Sequence, residues 1–239
     1  MQTIPRQSDH ENPNAAGSDA RSGPDLDWRD GVIPVATRYD DPYFSLSGGL
    51  AETRHVFLDG NDLPARLRPG FQVAELGFGT GLNLLALAAI ADVPVGFTSF
   101  EAEPMETAQI ARALTAFPEL GPLIGAYLAA WGNATGPVRE FTLGQVTARI
   151  VIGDARQMLP QWRGAADAWF LDGFSPARNP ELWDPALLRA VATHTTPGGS
   201  FATYTAAGHV RRALQGAGFA VTRQPGFGSK RHMTTGRLS

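Results

Sequence analysis

The 239-residue sequence contains no cysteine. That excludes disulfides, thiol nucleophiles, Cys-ligated zinc and iron–sulfur clusters together. No apolar run approaches the roughly 20 residues a membrane helix needs, so a soluble chain with no membrane partner is expected. The N-terminal stretch MQTIPRQSDHENPNAAGSDARSGPD has no hydrophobic segment and carries acids. Neither a secretory nor an organellar presequence is expected from it, which leaves the cytoplasm as the expected compartment. The pattern G-x-x-x-x-G-K-[ST] is missing, so P-loop nucleotide binding is excluded. His10, His55, His194, His209 and His232 are scattered without ligand spacing, and no metal is expected. Acids are also missing locally: residues 189–239 hold seven basic side chains and no Asp or Glu, while the other 188 residues hold 13 basic and 23 acidic ones. A basic segment on an acidic protein can engage a polyanion locally, although arginines also serve simply to solubilise a surface.

What is present is a core-forming composition, 43% apolar, with 27 glycines and 18 prolines. Residues 1–24 are polar, without hydrophobic period, and read as a disordered tail; one domain is expected over 25–239. Residues 42–59, with Gly48-Gly49, read as a hairpin or short strands ahead of the main fold, and Asp59-Gly60 as a plain turn. A different rhythm follows. FQVAELG (71–77), VGFTSFE (95–101), VTARIVIGD (146–154), DAWFLD (167–172), SFATYT (200–205) and FAVTRQ (219–224) read as strands. Helices are expected over 82–90, from Pro104 onward, and near 118–130, 155–162, 185–194 and 206–217. KRHMTTGRL (230–238) is a candidate last strand. Strands alternating with helices of this length predict a doubly wound α/β fold, its sheet mostly parallel and covered on both faces.

In such a sheet, ligands bind at the carboxyl ends of the strands. The loop after the first strand of this part is ELGFGTGLN, with Glu75, Gly77, Phe78, Gly79, Thr80, Gly81 and Asn83. Its glycines let backbone approach a ligand, and the N–H groups opening the next helix face it. The spacing is G-x-G-x-G rather than the dinucleotide pattern G-x-G-x-x-G, and an acid precedes it. Glu75 would repel a pyrophosphate but suits the ammonium of S-adenosylmethionine. Glu101 ends the next strand, where a carboxylate can accept both ribose hydroxyls. Asp154, beside Ala155, is placed to accept from an adenine amino group. Three acids at three strand ends fit a cationic nucleoside better than a phosphorylated one. Strand-end acids also cap helices, and Asp154 is in position to cap the helix opening at Ala155.

Longer blocks carry a family resemblance. ELGFGTGLN (75–83), DAWFLDGFSPARNPELW (167–183), FATYTAAGHVRRALQGAGF (201–219), GFGSKRHM (226–233) and the upstream DDPYFSLSGGLAETRHVFLDGN (40–61) resemble the tRNA 5-methylaminomethyl-2-thiouridine methyltransferase family. The resemblance covers roughly residues 28–236. It implies a class I methyltransferase fold with a small N-terminal extension. It also implies methyl transfer from S-adenosylmethionine to the primary amine of 5-aminomethyl-(2-thio)uridine at the tRNA wobble position. In bifunctional relatives a flavin-dependent oxidase domain follows and exposes that amine. The 239 residues leave no room for it. The expectation is therefore a stand-alone form, or the methyltransferase half of a longer chain, with no flavin and with a separate oxidase as a partner.

The same resemblance places the loop after DAWFLD at the substrate amine, making Asp172 the candidate to hold the amine and accept its proton. Phe174 would wall off the base and Ser175 would add a hydrogen bond. The competing reading of Asp172 is an Asp-Gly turn. Tyr43 and Ser45 match a block near the ligand, though packing explains Tyr43 almost as well. Arg178, Arg211, Arg212, Lys230 and Arg231 are the candidate contacts to the tRNA anticodon region. Position 232 departs from the family, which usually has an acid where this chain has His232. Three other readings stand beside this one. A methyltransferase of a small amine would not need the basic C-terminal segment. A dinucleotide oxidoreductase is disfavoured by the glycine spacing and by Glu75. A non-enzymatic RNA-binding module is disfavoured by Asp172 and its loop.

Overall fold

The computed structural model describes residues 23–45 and 48–239. Residues 1–22 of the expected tail lie outside the described residues. Its last two residues pack on the fold, with the Pro24 carbonyl accepting from Gln109 Nε2 at 3.3 Å. Three short antiparallel strands come first: β1 (Leu26–Arg29), β2 (Ile33–Ala36) and β3 (Asp41–Pro42).

The expected hairpin over 42–59 is not what forms. After β3, Gly48 in the left-handed region (φ 78°) precedes helix α1 (Gly49–Thr53). The helix runs on through a π-helical turn (Arg54–Leu58) and a 3-10 turn (Asp59–Asn61). Leu50, Val56, Phe57 and Leu58 all join the core from this segment. Their burial outweighs the turn signal of Gly48-Gly49, and the left-handed Gly48 starts the helix instead. Nor is Asp59-Gly60 a plain turn, since a Cβ at Gly60 would lie 2.8 Å from the Ala202 Cβ. A buried polar network fastens this segment to the sheet. Asn61 Nδ2 donates to the Trp169 carbonyl at 3.3 Å, and Ser200 Oγ donates to Asn61 Oδ1 at 2.6 Å.

The alternating part comprises β4 (Phe71–Leu76), α2 (Leu82–Ala88), β5 (Val95–Glu101), α3 (Thr107–Leu114), α4 (Gly121–Asn133), β6 (Val138–Leu143) and β7 (Val146–Ile152). It continues with α5 (Ala155–Met158), β8 (Ala166–Leu171), α6 (Pro185–Thr193), β9 (Thr195–Thr203), α7 (Gly208–Gly216), β10 (Phe219–Pro225) and β11 (His232–Leu238). The eight strands from β4 to β11 form one sheet in the order β10-β11-β9-β8-β4-β5-β7-β6. The run β9-β8-β4-β5-β7 is parallel throughout, and β11 and β6 are antiparallel to their neighbours. The doubly wound class I methyltransferase fold read from the sequence is the fold observed. Two details differ. β6 forms where no strand is expected, because its half-exposed residues give it little apolar signal. Helix α3 starts at Thr107 rather than at Pro104, because Glu106 and Gln109 close a reciprocal capping box there.

Successive residues of β8 feed opposite layers, as strand geometry requires. Ala168 and Phe170 enter the core shared with α2 and α4, while Trp169 and Leu171 enter the one shared with α6 and α7. Both faces of the parallel strands are thereby covered. What remains open is the carboxyl edge, where the order reverses between β4 and β8.

Gly81 opens α2 at φ 76°, and a Cβ there would lie 2.5 Å from the Tyr127 hydroxyl. Gly81→Ala should lower unfolding stability by roughly 2–4 kcal/mol, read as a fall in the urea midpoint. An unchanged midpoint would mean that the loop tolerates a side chain.

Candidate active site

A cavity of about 600 Å³ opens at this carboxyl edge, within the roughly 300–1,000 Å³ of small-molecule sites. One half is built by the glycine loop. Gly77, Phe78, Gly79 and Thr80 line it, joined by Glu101 from β5 and by Asp154 and Ala155 ahead of and within α5. Gly77 sits at φ 82°, where a Cβ would come within 3.2 Å of both the Asp172 carbonyl and Gly173 Cα. Only a glycine lets this loop lie against the next one. Glu101 Oε2 accepts from Gly79 N at 2.9 Å and Oε1 accepts from Glu103 N at 2.8 Å. Each oxygen retains lone-pair capacity for a hydroxyl. Asp154 caps α5 by accepting from Arg156 N at 2.9 Å. It also pairs with the Arg156 guanidinium at 2.6 Å. That side-chain hydrogen bond holds its carboxyl below the usual range.

The other half is built by the loop after β8. Asp172, Phe174 and Ser175 line it, together with Tyr43, Ser45 and Lys230. Phe174 stacks on Tyr39 at 4.6 Å and meets Tyr43 edge-on at 4.9 Å. Ser175 N donates to Asp41 Oδ2 at 2.8 Å, fixing the loop to the strap that follows β2. Tyr204 donates its hydroxyl to the Gly173 carbonyl at 2.8 Å. Lys230 Nζ pairs with Glu52 at 2.7 Å and lies 4.5 Å from the centre of the Tyr204 ring.

Several expected site residues stand elsewhere. Glu75 is fully buried beneath the cavity floor rather than in its lining, and accepts from Ser99 Oγ at 2.6 Å and Asn83 Nδ2 at 2.8 Å. Burial pushes its carboxyl well above the usual carboxylate range. With both oxygens engaged by the protein, it supports Asn83, which does line the cavity, rather than a ligand directly. Gly81 underlies the loop. Arg178 also lies outside the lining and pairs with Asp40 at 2.7 Å, so it latches the strap rather than facing the cavity. Arg211, Arg212 and Arg231 lie outside it too. The sequence reading missed Glu52 and Tyr204. Glu52 is hidden by the misread hairpin, and Tyr204, although inside a quoted block, carries no spacing signal for the direction it faces.

Residues 118–239 match a family model described as S-adenosyl-L-methionine-dependent methyltransferase. The chain belongs to that family. The bifunctional tRNA 5-methylaminomethyl-2-thiouridine biosynthesis protein MnmC of Chromobacterium violaceum is 45% identical over 227 residues, which is 90% of this chain and 34% of that protein. Its counterpart from Caulobacter sp. (strain K31) is 46% identical over 229 residues, 90% of this chain and 38% of that protein. This methyltransferase thus spans about a third of the length of the curated relatives it matches. The crystal structure of MNMC2 from Aquifex aeolicus superposes with a TM-score of 0.68 at 25% identity, covering 92% of this chain and 72% of that one.

The cavity fits the family's methyl donor on its own chemistry: a glycine-rich cradle, a strand-end carboxylate with acceptor capacity, and no basic group on the loop for a phosphate. When bound, S-adenosylmethionine supplies an electrophilic methyl on a sulfonium, whose departure as a neutral thioether needs no acid. The methyltransferase's own residues have two tasks, aligning an acceptor and removing a proton. Asp172, which lines the cavity, is the candidate for the second. Burial raises its carboxyl to about 6, against the lowering effects of Gly173 N, Asn83 and Lys230. A carboxylate raised that far remains ionised at neutral pH and is a better proton acceptor than an exposed one.

The sign for activity follows directly. Below pH about 6 the Asp172 carboxyl is protonated, so methyl transfer should fall as pH drops through that value. Asp172→Asn should abolish this limb and slow transfer by roughly 10²–10⁴-fold, measured in single turnover. For stability the sign is opposite to that of an ion-paired acid. The folded state favours the protonated form, so stability is lost as pH rises from the unfolded value to about 6. Asp172→Asn should therefore be the more stable protein at pH about 7.5, by up to about 3 kcal/mol. A variant less stable than the parent there would contradict the buried charge.

Proposed function

We propose that this methyltransferase carries a methyl group from S-adenosylmethionine to the amine of 5-aminomethyl-(2-thio)uridine at the wobble position of tRNA. The observation that carries the reading is Asp172, a carboxyl raised by burial, next to the glycine loop in a cavity reached past a basic loop. In the proposed reaction the amine gives a proton to Asp172, and its lone pair attacks the methyl carbon. The carbon–sulfur bond breaks with its electrons left on sulfur. Phe174, clamped between Tyr39 and Tyr43, excludes water from the reacting atoms. The names of the MnmC relatives, which refer to 5-methylaminomethyl-2-thiouridine biosynthesis in tRNA, support the same product class.

The RNA would approach over the C-terminal strands. His232 is pushed below its usual range by partial burial and then by Arg223, Arg231 and Arg211, so these three cations share one patch. Lys230, adjacent in sequence, carries the basic surface into the cavity. Phosphate contacts there would position the anticodon region, and the cavity would select the base. A flavin-dependent oxidase, fused or separate, would supply the amine. No single helix among the described residues is long and apolar enough to cross a membrane, and a cytoplasmic enzyme acting on tRNA is the proposed setting.

The deciding assay uses labelled S-adenosylmethionine and tRNA from cells that accumulate 5-aminomethyluridine, with digested nucleosides read by mass spectrometry. A gain of one methyl on that nucleoside is expected. Methylation of small amines but not of tRNA would overturn the substrate. Replacing Arg211 and Arg231 by Ala should weaken tRNA binding and reduce the slope of log affinity against log salt by about one to two. An unchanged slope would remove this patch from the RNA footprint.

A further inference from the structure

One amide joins the two carboxyls at the centre of the sheet edge. Asn83, the second residue of α2, donates from Nδ2 to Glu75 Oε1 at 2.8 Å and to Asp172 Oδ2 at 2.8 Å. Glu75 is the penultimate residue of β4 and Asp172 follows β8, the two parallel neighbours at which the strand order reverses. An amide nitrogen has two hydrogens, and here each is directed at a carboxyl oxygen. The Asp172 contact dictates the orientation of the side chain, because turning it over would set its carbonyl oxygen against the Asp172 carboxylate. Asn83 is 5% exposed and Glu75 is fully buried, so water cannot readily take over the bond between them. Ser99 Oγ holds the far oxygen of Glu75 at 2.6 Å, and Gly173 N holds the other oxygen of Asp172 at 2.8 Å. The result is a continuous row, Ser99–Glu75–Asn83–Asp172–Gly173, pinned at both ends.

We propose that Asn83 is a positioning residue for Asp172, fixing through this shared amide the direction in which the Asp172 carboxylate faces the acceptor amine. The proposal rests on the reading of Asp172 as the group that receives the amine proton. It goes beyond that reading by giving the glycine loop a second task. The loop cradles the methyl donor and also carries, two residues past Gly81, the donor that orients the proton acceptor. The charged and titratable groups around Asp172 come from every side of the cavity: Glu75 from β4, Glu52 from α1, Lys230 from the loop before β11, and Tyr204 at the end of β9, with Asp41 beyond it. Among these, Glu52 and Lys230 oppose one another as an ion pair. Asn83 differs from all of them in holding an oxygen of Asp172 by a direct hydrogen bond. A donor to the ionised form favours that form, so losing it raises the carboxyl further.

The test is Asn83→Ala, read first without any acceptor. The Asp172 carboxyl carbon, assigned by comparison with Asp172→Asn, is titrated by ¹³C NMR in the parent and in the variant. Loss of one hydrogen bond to a charged group corresponds to about one pH unit upward. At saturating methyl donor, the acid limb of single-turnover methyl transfer should move up by the same amount. The rate deficit should then shrink with rising pH while part of it persists, since orientation is lost as well. An unchanged titration would overturn the proposal whatever the activity shows. A defect confined to methyl-donor affinity, with the acid limb in place, would overturn it equally. Should Asn83→Ala fail to fold, Asn83→Ser keeps one donor for two carboxyls, and the same titration decides. Because the NMR reading uses no RNA, a failure to methylate tRNA would count against the proposed substrate and leave this inference standing or falling on its own.

Discussion

Two loops touch at the reversal point of the sheet, and the site depends on how closely they can do so. The Leu76 carbonyl accepts from Asp172 N at 3.2 Å, extending the β4–β8 pairing one step beyond the strands. Immediately afterwards Gly77 passes within van der Waals range of the Asp172 and Gly173 backbone. Any side chain at Gly77 would wedge these loops apart. Their contact brings a loop specialised for a nucleoside-bearing ligand and a loop carrying a proton acceptor to within the length of one asparagine. Reaction geometry is thereby set largely by backbone, which is stiffer than side chains and involves no rotamer choice.

The same crowding makes the electrostatics unfavourable in the resting fold. Glu75, Glu101 and Asp172 are all raised by burial. Each is answered by hydrogen-bond donors rather than by a guanidinium: Ser99 and Asn83 for Glu75, backbone N–H groups for Glu101, and Asn83 with Gly173 N for Asp172. Neutral donors satisfy the oxygens of Glu101 and Asp172 without cancelling the negative potential these two carry when ionised. A cavity built this way retains an attraction for a cation, which a sulfonium-bearing methyl donor is and the proposed alkylammonium acceptor would be. Stability is given up at the place where binding recovers it.

How much of this was legible from the amino acids divides along chemical lines. The parallel strands and the loop between β4 and α2 announce themselves through short apolar runs and through glycines whose spacing has one mechanical meaning. Glu101 and Asp154 were visible because they stand at strand ends, where position alone implies proximity, and Asp172 through the family resemblance of its loop. The opposite wall was not. Glu52 reaches the cavity because the segment that begins with α1 packs on the sheet, where Asn61, Arg66 and Ser200 fasten it across more than a hundred residues of chain. Strand β6 was hidden by its own half-exposed pattern. For Glu75 the residue was found, but its direct role as a ligand contact was not supported: nothing in a sequence tells whether a carboxylate faces a cavity or lies beneath it.

The placement of β11 bears on how the molecule comes into being. The strand of this sheet that comes latest in sequence does not lie at its rim; it sits between β9 and β10, which precede it. During synthesis β9 must therefore wait with an open, hydrogen-bonding edge, and β10 has nothing to attach to, until residues up to Leu238 have left the ribosome. The strand that closes this gap is also the one that leads away from Lys230. Synthesis halted before β11 leaves an unfinished sheet edge and an incomplete cavity wall together, so closing this sheet and completing the site are one step.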